Sequence, residues 1–138
     1  MQIHPYLSFE GRAEEALNFY KKALGAKEGM VMRFKDAPPE AQANMKPGSG
    51  DKIMHMSFKI GDTELMGSDG YCTGTAKFEG ISLTFNAKDA ADAEKVFKAL
   101  SDGGQVKMPI AKTFFSPAFG VVSDKLGVNW MIIVPQQM

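Results

Sequence analysis

Two stretches of the sequence decide the fold: LSFEGRAEEALNFYKKALG at residues 7–25 and LTFNAKDAADAEKVFKALSDGG at residues 83–104. Each stretch opens with an alternating strand pattern, and each closes a helical pattern with Lys-Ala-Leu and a following glycine. The matching positions keep one separation, from 7 to 83 and from 22 to 98. Such a repeat predicts that one supersecondary unit occurs twice.

Working outward from these stretches, apolar residues spaced three and four apart predict a helix over about Arg12–Leu24 and another over about Ala90–Leu100. Gly25 is a stop signal for the first helix, and Asp89 is a candidate N-cap for the second. Tight turns are expected at residues 61–62 and 124–127. Strands are predicted near residues 2–9, 27–35, 53–60, 63–69, 79–86, 105–112, 119–123 and 128–134.

Both halves, about residues 1–70 and 78–135, therefore have the order βαβββ. A lone unit of this kind covers one face of its sheet with the helix and leaves the other face bare. Two paired βαβββ units predict an α+β fold with a curved mixed sheet, helices outside and a cleft inside. The segment 35–52 breaks the pattern with Pro38-Pro39, Pro47 and two glycines, and it is either a lid over the cleft or a plain surface loop.

Composition limits the partners and the location of the protein. A chain of 138 residues is the size of a single domain, 1–138. Sixteen basic residues balance sixteen acidic ones, so there is no global field to attract nucleic acid or an anionic membrane. No apolar run reaches the roughly 20 residues needed to span a bilayer. Residues 1–5 lack the pattern of a signal peptide, and the lone Cys72 suits a reducing compartment, so a cytoplasmic location is expected.

The sequence resembles the PhnB-like family of the vicinal-oxygen-chelate superfamily, which includes glyoxalase I, extradiol dioxygenases, and fosfomycin and bleomycin resistance proteins. The resemblance is carried by Pro5–Phe9, the segment 16–20, His55, the run 65–69 and, most specifically, the tail 119–132. It implies the paired βαβββ fold, a small-molecule ligand and a homodimer. The chain departs from the family pattern after Phe114, where Trp is usual, and at Asn129, where Pro is usual.

The same resemblance assigns four positions to the metal ligands of the superfamily. They fall at His4, Met66, Gly80 and Met131, so one ligand type of four is present. Glu64 lies on the same side of its strand as Met66, but rescue of all three missing ligands is not expected. We therefore predict no superfamily metal site and no cofactor.

Strand alternation supplies the candidate site residues. His4, Tyr6 and Ser8 share one side of the first strand, and His55 lies on the less apolar side of the third. His55 and His4, with Tyr6, are candidate acid–base catalysts, since an imidazole titrates near neutral pH. The alternative is that both histidines are hydrogen-bonded and inert. The predicted ligand wall comprises Tyr6, His55, Met66, Ser68, Trp130 and, near the mouth, Phe115, although alternation from Met131 would turn Trp130 away.

Three classes of function remain open. The first is a metal-independent small-molecule-binding protein, the second is a lyase-like or isomerase-like enzyme, and the third is a glyoxalase-like or dioxygenase-like metalloenzyme. The family is sometimes labelled a ubiquinone methyltransferase. The sequence does not support that activity, because Gly48-Ser49-Gly50 follows a proline-rich loop and opens no helix.

Overall fold

The computed structural model describes residues 1–42 and 50–136, with the side chains of residues 41 and 42 left out. The chain divides into two compact units, Met1–Ala76 and Lys77–Met138, and the division lies between the two predicted repeat halves. Within the described part of the chain, no helix has the length and the apolar character that crossing a bilayer requires.

The first unit contains one four-stranded sheet and its covering helix. The strands follow the order β1-β4-β3-β2; β1 runs parallel to β4, and the other two pairings are antiparallel. A short 3-10 helix at Phe34–Asp36 follows β2. The elements are β1 Tyr6–Ser8, α1 Ala13–Leu24, β2 Lys27–Arg33, α2 Pro39–Gln42, β3 Ile53–Ile60 and β4 Thr63–Ser68.

The second unit repeats this topology. Its strands follow the order β5-β8-β7-β6, with β5 parallel to β8 and the other two pairings antiparallel. The elements are β5 Leu83–Asn86, α3 Ala90–Ser101, β6 Gln105–Ala111, β7 Phe119–Ser123 and β8 Asn129–Ile133. The prediction of an α+β fold with two βαβββ units is therefore confirmed.

The two long helices begin in different ways. Asp89 is the N-cap of α3, as predicted, and its side chain accepts a hydrogen bond from the backbone N–H of Asp92. At α1 the N-cap residue, Arg12, makes no side-chain cap. Instead the buried carboxylate of Asp69 accepts from the N–H groups of Ala13 at 2.7 Å and Ile53 at 2.6 Å, which joins the start of the helix to the sheet.

Each helix covers one face of its own sheet. On α1, Tyr20 is fully buried and stacks on Phe58 of β3 with ring centroids 5.8 Å apart. On α3, Phe97 lies over Gly120 of β7, where an added Cβ would approach the Phe97 ring to 2.7 Å. In each unit the helix and the sheet face beneath it form the packed core. The other face of each sheet therefore lies outside that core.

Two predicted strands are shorter than their patterns indicate. β1 begins at Tyr6, so His4 precedes it, and Pro5 has no N–H to contribute to a ladder. β5 begins at Leu83, because Gly80 has a φ of +78° and lies in a turn. A helical turn predicted at residues 40–44 corresponds in part to α2, and residues 43–49 lie outside the described part of the chain.

Candidate functional site: the open face of the first sheet

The register of the first sheet defines a face that points away from α1. Phe58 lies under Tyr20, and Phe58 pairs with Leu65, so these residues belong to the helix-covered face. The alternate positions belong to the other side of the sheet. Lys59 and Glu64 lie on this side at the end nearest the β3–β4 turn. We call the seven uncharged side chains away from that turn the open face: Tyr6, Ser8, Met32, His55, Ser57, Met66 and Ser68.

The side chains of Tyr6 and His55 meet on the open face. The Tyr6 hydroxyl lies 3.3 Å from Nδ1 of His55, and the two ring centroids are 5.7 Å apart. Strand β4 separates β1 from β3, so the hydroxyl reaches across it. Tyr6 is half exposed and His55 is partly buried, which leaves both groups accessible from outside the first unit.

His4 lies beside the same sheet in a different setting. Its Nδ1 is 3.1 Å from the backbone oxygen of Glu64, and its Nε2 is 3.2 Å from Oε1 of Gln2. A backbone carbonyl only accepts hydrogen bonds, so Nδ1 of His4 is the donor in the first contact. Among the described residues, the hydrogen bonds of His4 are to Glu64 and Gln2 and not to Tyr6 or His55, so its role as a catalyst stays a prediction.

Two predicted ligand-binding residues lie on β4 of the open face. Met66 pairs with Tyr6 on one side and with Ser57 on the other, and it is partly exposed. Ser68 is buried, and its hydroxyl accepts a hydrogen bond from the N–H of Gly70 at 3.1 Å. Ser68 therefore supports the turn after β4, while Met66 presents its thioether to the face.

Met32 is a neighbour of His55 that was not predicted from the sequence. Met32 lies directly opposite His55 in the β2–β3 register, which places both side chains on the same face. The Met-Val-Met run at 30–32 was a possible signal. The register shifts on either side of this pairing, however, prevent simple counting along β2 from locating the partner.

The other two predicted ligand-binding residues lie in the second unit. Trp130 is 3% exposed and pairs with Val122, two positions from Gly120, so it shares the face that α3 covers. Its Nε1 donates to Oδ2 of the buried Asp124 at 2.8 Å. The structure thus gives Trp130 a place in the packed interior of its unit.

Phe115 has a different environment within the second unit. It is 38% exposed and packs edge-on against Phe114 and Phe119, with ring centroids 5.1 Å and 5.0 Å apart. Phe119 alternates with Gly120 along β7, so its side chain lies on the face away from α3. Phe115 therefore belongs to a half-exposed aromatic group of the second unit.

The residues at the four superfamily metal positions do not fit a divalent ion. They provide one imidazole from His4, two thioethers from Met66 and Met131, and no side chain from Gly80, whereas divalent ions in such sites need imidazole or carboxylate ligands. Within residues 1–42 and 50–136, no group of three His, Cys, Asp or Glu side chains lies close enough to hold a metal ion.

The two ends of the segment 35–52 are joined to each other by an ion pair and to β2 by a hydrogen bond from Arg33. Arg33 donates to the carboxylate of Glu14 on α1 and to the backbone oxygen of Asp51, both at 2.6 Å. Lys35 donates to the Asp51 carboxylate at 2.9 Å. The hydrogen bond from Arg33 holds the pKa of Glu14 below its usual value, and that from Lys35 lowers the pKa of Asp51. The lid role remains a prediction, since residues 43–49 lie outside the described part.

Comparisons with known proteins agree with the fold. The family model described as 3-demethylubiquinone-9 3-methyltransferase matches residues 1–133. Protein YjdN of Escherichia coli (strain K12) is 32% identical over 143 residues, covering 99% of this chain and 97% of YjdN. The structure of PA1353 from Pseudomonas aeruginosa has a TM-score of 0.85 at 36% identity, with 99% of both chains covered.

Two further solved structures are similar to this chain. The PhnB protein from Bacillus cereus has a TM-score of 0.79 at 29% identity, covering 97% of this chain and 99% of that chain. A glyoxylase/bleomycin resistance protein/dioxygenase domain from Frankia sp. EAN1pec shares the fold, with a TM-score of 0.68 at 14% identity and coverage of 99% and 93%. The chain therefore belongs to the PhnB-like family described as 3-demethylubiquinone-9 3-methyltransferase, and it shares the fold of a glyoxylase/bleomycin resistance protein/dioxygenase domain.

Proposed function

We propose that this protein binds a small, largely apolar molecule on the open face of its first sheet, without the metal site of its superfamily. The observation that carries the proposal is the Tyr6–His55 hydrogen bond beside the accessible thioethers of Met32 and Met66. Apolar surface with a few convergent polar groups is typical of small-molecule sites. Methionine side chains adapt to aromatic and aliphatic ligands, and each Å² of apolar surface removed from water contributes about 25 cal/mol.

The family description names a methyltransferase, and we do not extend that activity to this chain. Each described sheet has one parallel pairing and two antiparallel ones, unlike the open parallel sheets that hold nucleotide-like cofactors behind a glycine-rich turn. The connection at residues 9–12, before α1, contains the single glycine Gly11. The connection at residues 87–89, before α3, contains none.

A second candidate is an enzyme of the lyase or isomerase type. The Tyr6–His55 pair favours it, because a hydroxyl and an imidazole in contact can act as acid and base toward a bound substrate. His4 is tied to the backbone of Glu64, which makes His55 the better candidate for the base. Turnover that is lost in both Tyr6→Phe and His55→Gln, with ligand binding retained, would favour this candidate over a binding protein.

The binding proposal is tested by chemical-shift mapping of methyl-labelled methionines with a fragment library. Ligands should shift the methyl signals of Met32 and Met66 and leave that of Met56, which is fully buried on the helix-covered face. Tyr6→Ala should weaken the hits, while the control Tyr71→Ala, at a side chain that is 87% exposed, should not. If hits shift the methyl signal of Met56 and not those of Met32 and Met66, the proposed face is wrong.

A further inference from the structure

The Nδ1 atoms of the two histidines face different kinds of hydrogen-bonding partner, an acceptor at His4 and a possible donor at His55. Nδ1 of His4 faces a carbonyl oxygen, that of Glu64, and therefore carries a proton. In the neutral ring Nε2 of His4 then accepts, which requires the Gln2 amide to turn its NH₂ group towards it. Nδ1 of His55 faces the Tyr6 hydroxyl, which is able to donate. Among the described residues, Nε2 of His55 has no hydrogen-bond partner. The protons of the two neutral imidazoles are thus expected on different nitrogens.

We propose that Tyr6 is a positioning residue that holds neutral His55 with its proton on Nε2, and that this N–H donates to an oxygen of an uncharged, mainly apolar ligand. A neutral imidazole has one donor and one acceptor nitrogen. The imidazole nitrogen is a stronger base than the phenol oxygen, so the phenol donates to Nδ1 and the ring proton stays on Nε2. The inference rests on the proposed function, since the ligand lies on the open face.

The charge of the open face selects the ligand class. None of its seven side chains is Lys, Arg, Asp or Glu. Lys59 and Glu64 continue the same face beyond Ser57 and Met66, towards the turn that joins β3 and β4, where their opposite charges lie across from each other. Burying a carboxylate or phosphate here without a cation costs far more than burying a carbonyl, ether or hydroxyl oxygen. The thioethers of Met32 and Met66 suit an aromatic or aliphatic body.

The positioning role is tested without any ligand by ¹⁵N NMR of the two imidazoles, at a pH where both are neutral. We expect the proton of His55 on Nε2 and that of His4 on Nδ1. Tyr6→Phe should convert His55 to a mixture of both tautomers and leave His4 unchanged, whereas Tyr71→Phe should change neither. A proton on Nδ1 of His55 in the unmodified protein, or no change in Tyr6→Phe, would overturn the role of Tyr6.

The ligand class is tested with acetophenone, ethylbenzene and benzoate at equal concentrations. Acetophenone should shift the Met66 methyl signal and Nε2 of His55, ethylbenzene should shift only Met66, and benzoate should bind more weakly than acetophenone. Tyr6→Phe should weaken acetophenone by the fraction of His55 that loses the Nε2 proton, about twofold for an even mixture of tautomers, and leave ethylbenzene unchanged.

The outcomes separate the ligand class from the proposed function. If benzoate binds more tightly than acetophenone, or if ethylbenzene binds as tightly, the open face is a binding site but its ligand class is wrong. If none of the three probes shifts Met66, the proposed function and the ligand class both fail. The tautomer of His55, measured without a ligand, is decided independently of either outcome.

Discussion

Replacing Asp124 with alanine is expected to lower the free energy of unfolding by about 3–5 kcal/mol. Its Oδ1 accepts from the backbone N–H groups of Leu126 at 2.9 Å and Val128 at 3.1 Å, and its Oδ2 accepts from Nε1 of Trp130 at 2.8 Å. All four residues are buried. Each buried donor left without an acceptor costs about 1–3 kcal/mol. The cost for the three donors together is expected in the lower half of the summed range, because the turn can relax and let water reach some of them.

A double-mutant cycle isolates the contact between Asp124 and Trp130. Asp124→Asn should cost about 2 kcal/mol, because in either orientation of the amide its NH₂ group faces an N–H donor. Trp130→Phe removes one of these donors. The second substitution should therefore cost less in the Asn background, with a coupling energy of about 1–2 kcal/mol.

Urea unfolding followed by far-UV circular dichroism measures these energies, since Trp130 is the only tryptophan and its fluorescence is lost in one arm of the cycle. Asp102→Ala, at an exposed residue after α3, is the matched control and should change stability by less than about 0.5 kcal/mol. A loss below about 1 kcal/mol for Asp124→Ala, or a coupling energy of zero, would refute the reasoning.

Four other outcomes are expected. Gly120→Ala should lower stability by about 1–3 kcal/mol in the same unfolding assay, because the new Cβ would lie 2.7 Å from the Phe97 ring. As pH falls below about 4.3, the ordinary value for Glu, the unmodified protein should lose the small stabilisation that the lowered pKa of Glu14 provides above it. Glu14→Gln should lack that loss, which is small because the Glu14 side chain is 60% exposed and solvent screens its pair with Arg33. His4→Ala should retain its fold and its metal content; stoichiometric Zn, Ni, Mn or Fe that disappears in the variant would contradict this. Sedimentation should show a homodimer, and a 15.0 kDa species alone at micromolar protein would contradict it.

The helices and the repeat could be predicted because their signals are local. Helix α1 occupies Ala13–Leu24 and α3 occupies Ala90–Ser101, each within one residue of the prediction. Apolar spacing, glycine stops and the Asp89 cap act over a few residues, so they are visible along the chain. The cap of α1 is not local, since Asp69 is 56 residues away from Ala13, and no sequence pattern marks such a pair.

Some features of the candidate site could likewise be predicted from the sequence, and others could not. Alternation along single strands was sufficient to place Tyr6 and His55 on the less apolar sides of β1 and β3, because side-chain direction is a property of one strand. Their hydrogen bond depends on the strand order β1-β4-β3, and the pairing of Met32 with His55 depends on two register shifts in β2. Trp130 is part of a conspicuous motif, yet the packing of α3 on Gly120 decides that its indole lies inside and binds Asp124. Strand order, register and helix packing are set by contacts between distant residues, so only the tertiary structure determines them.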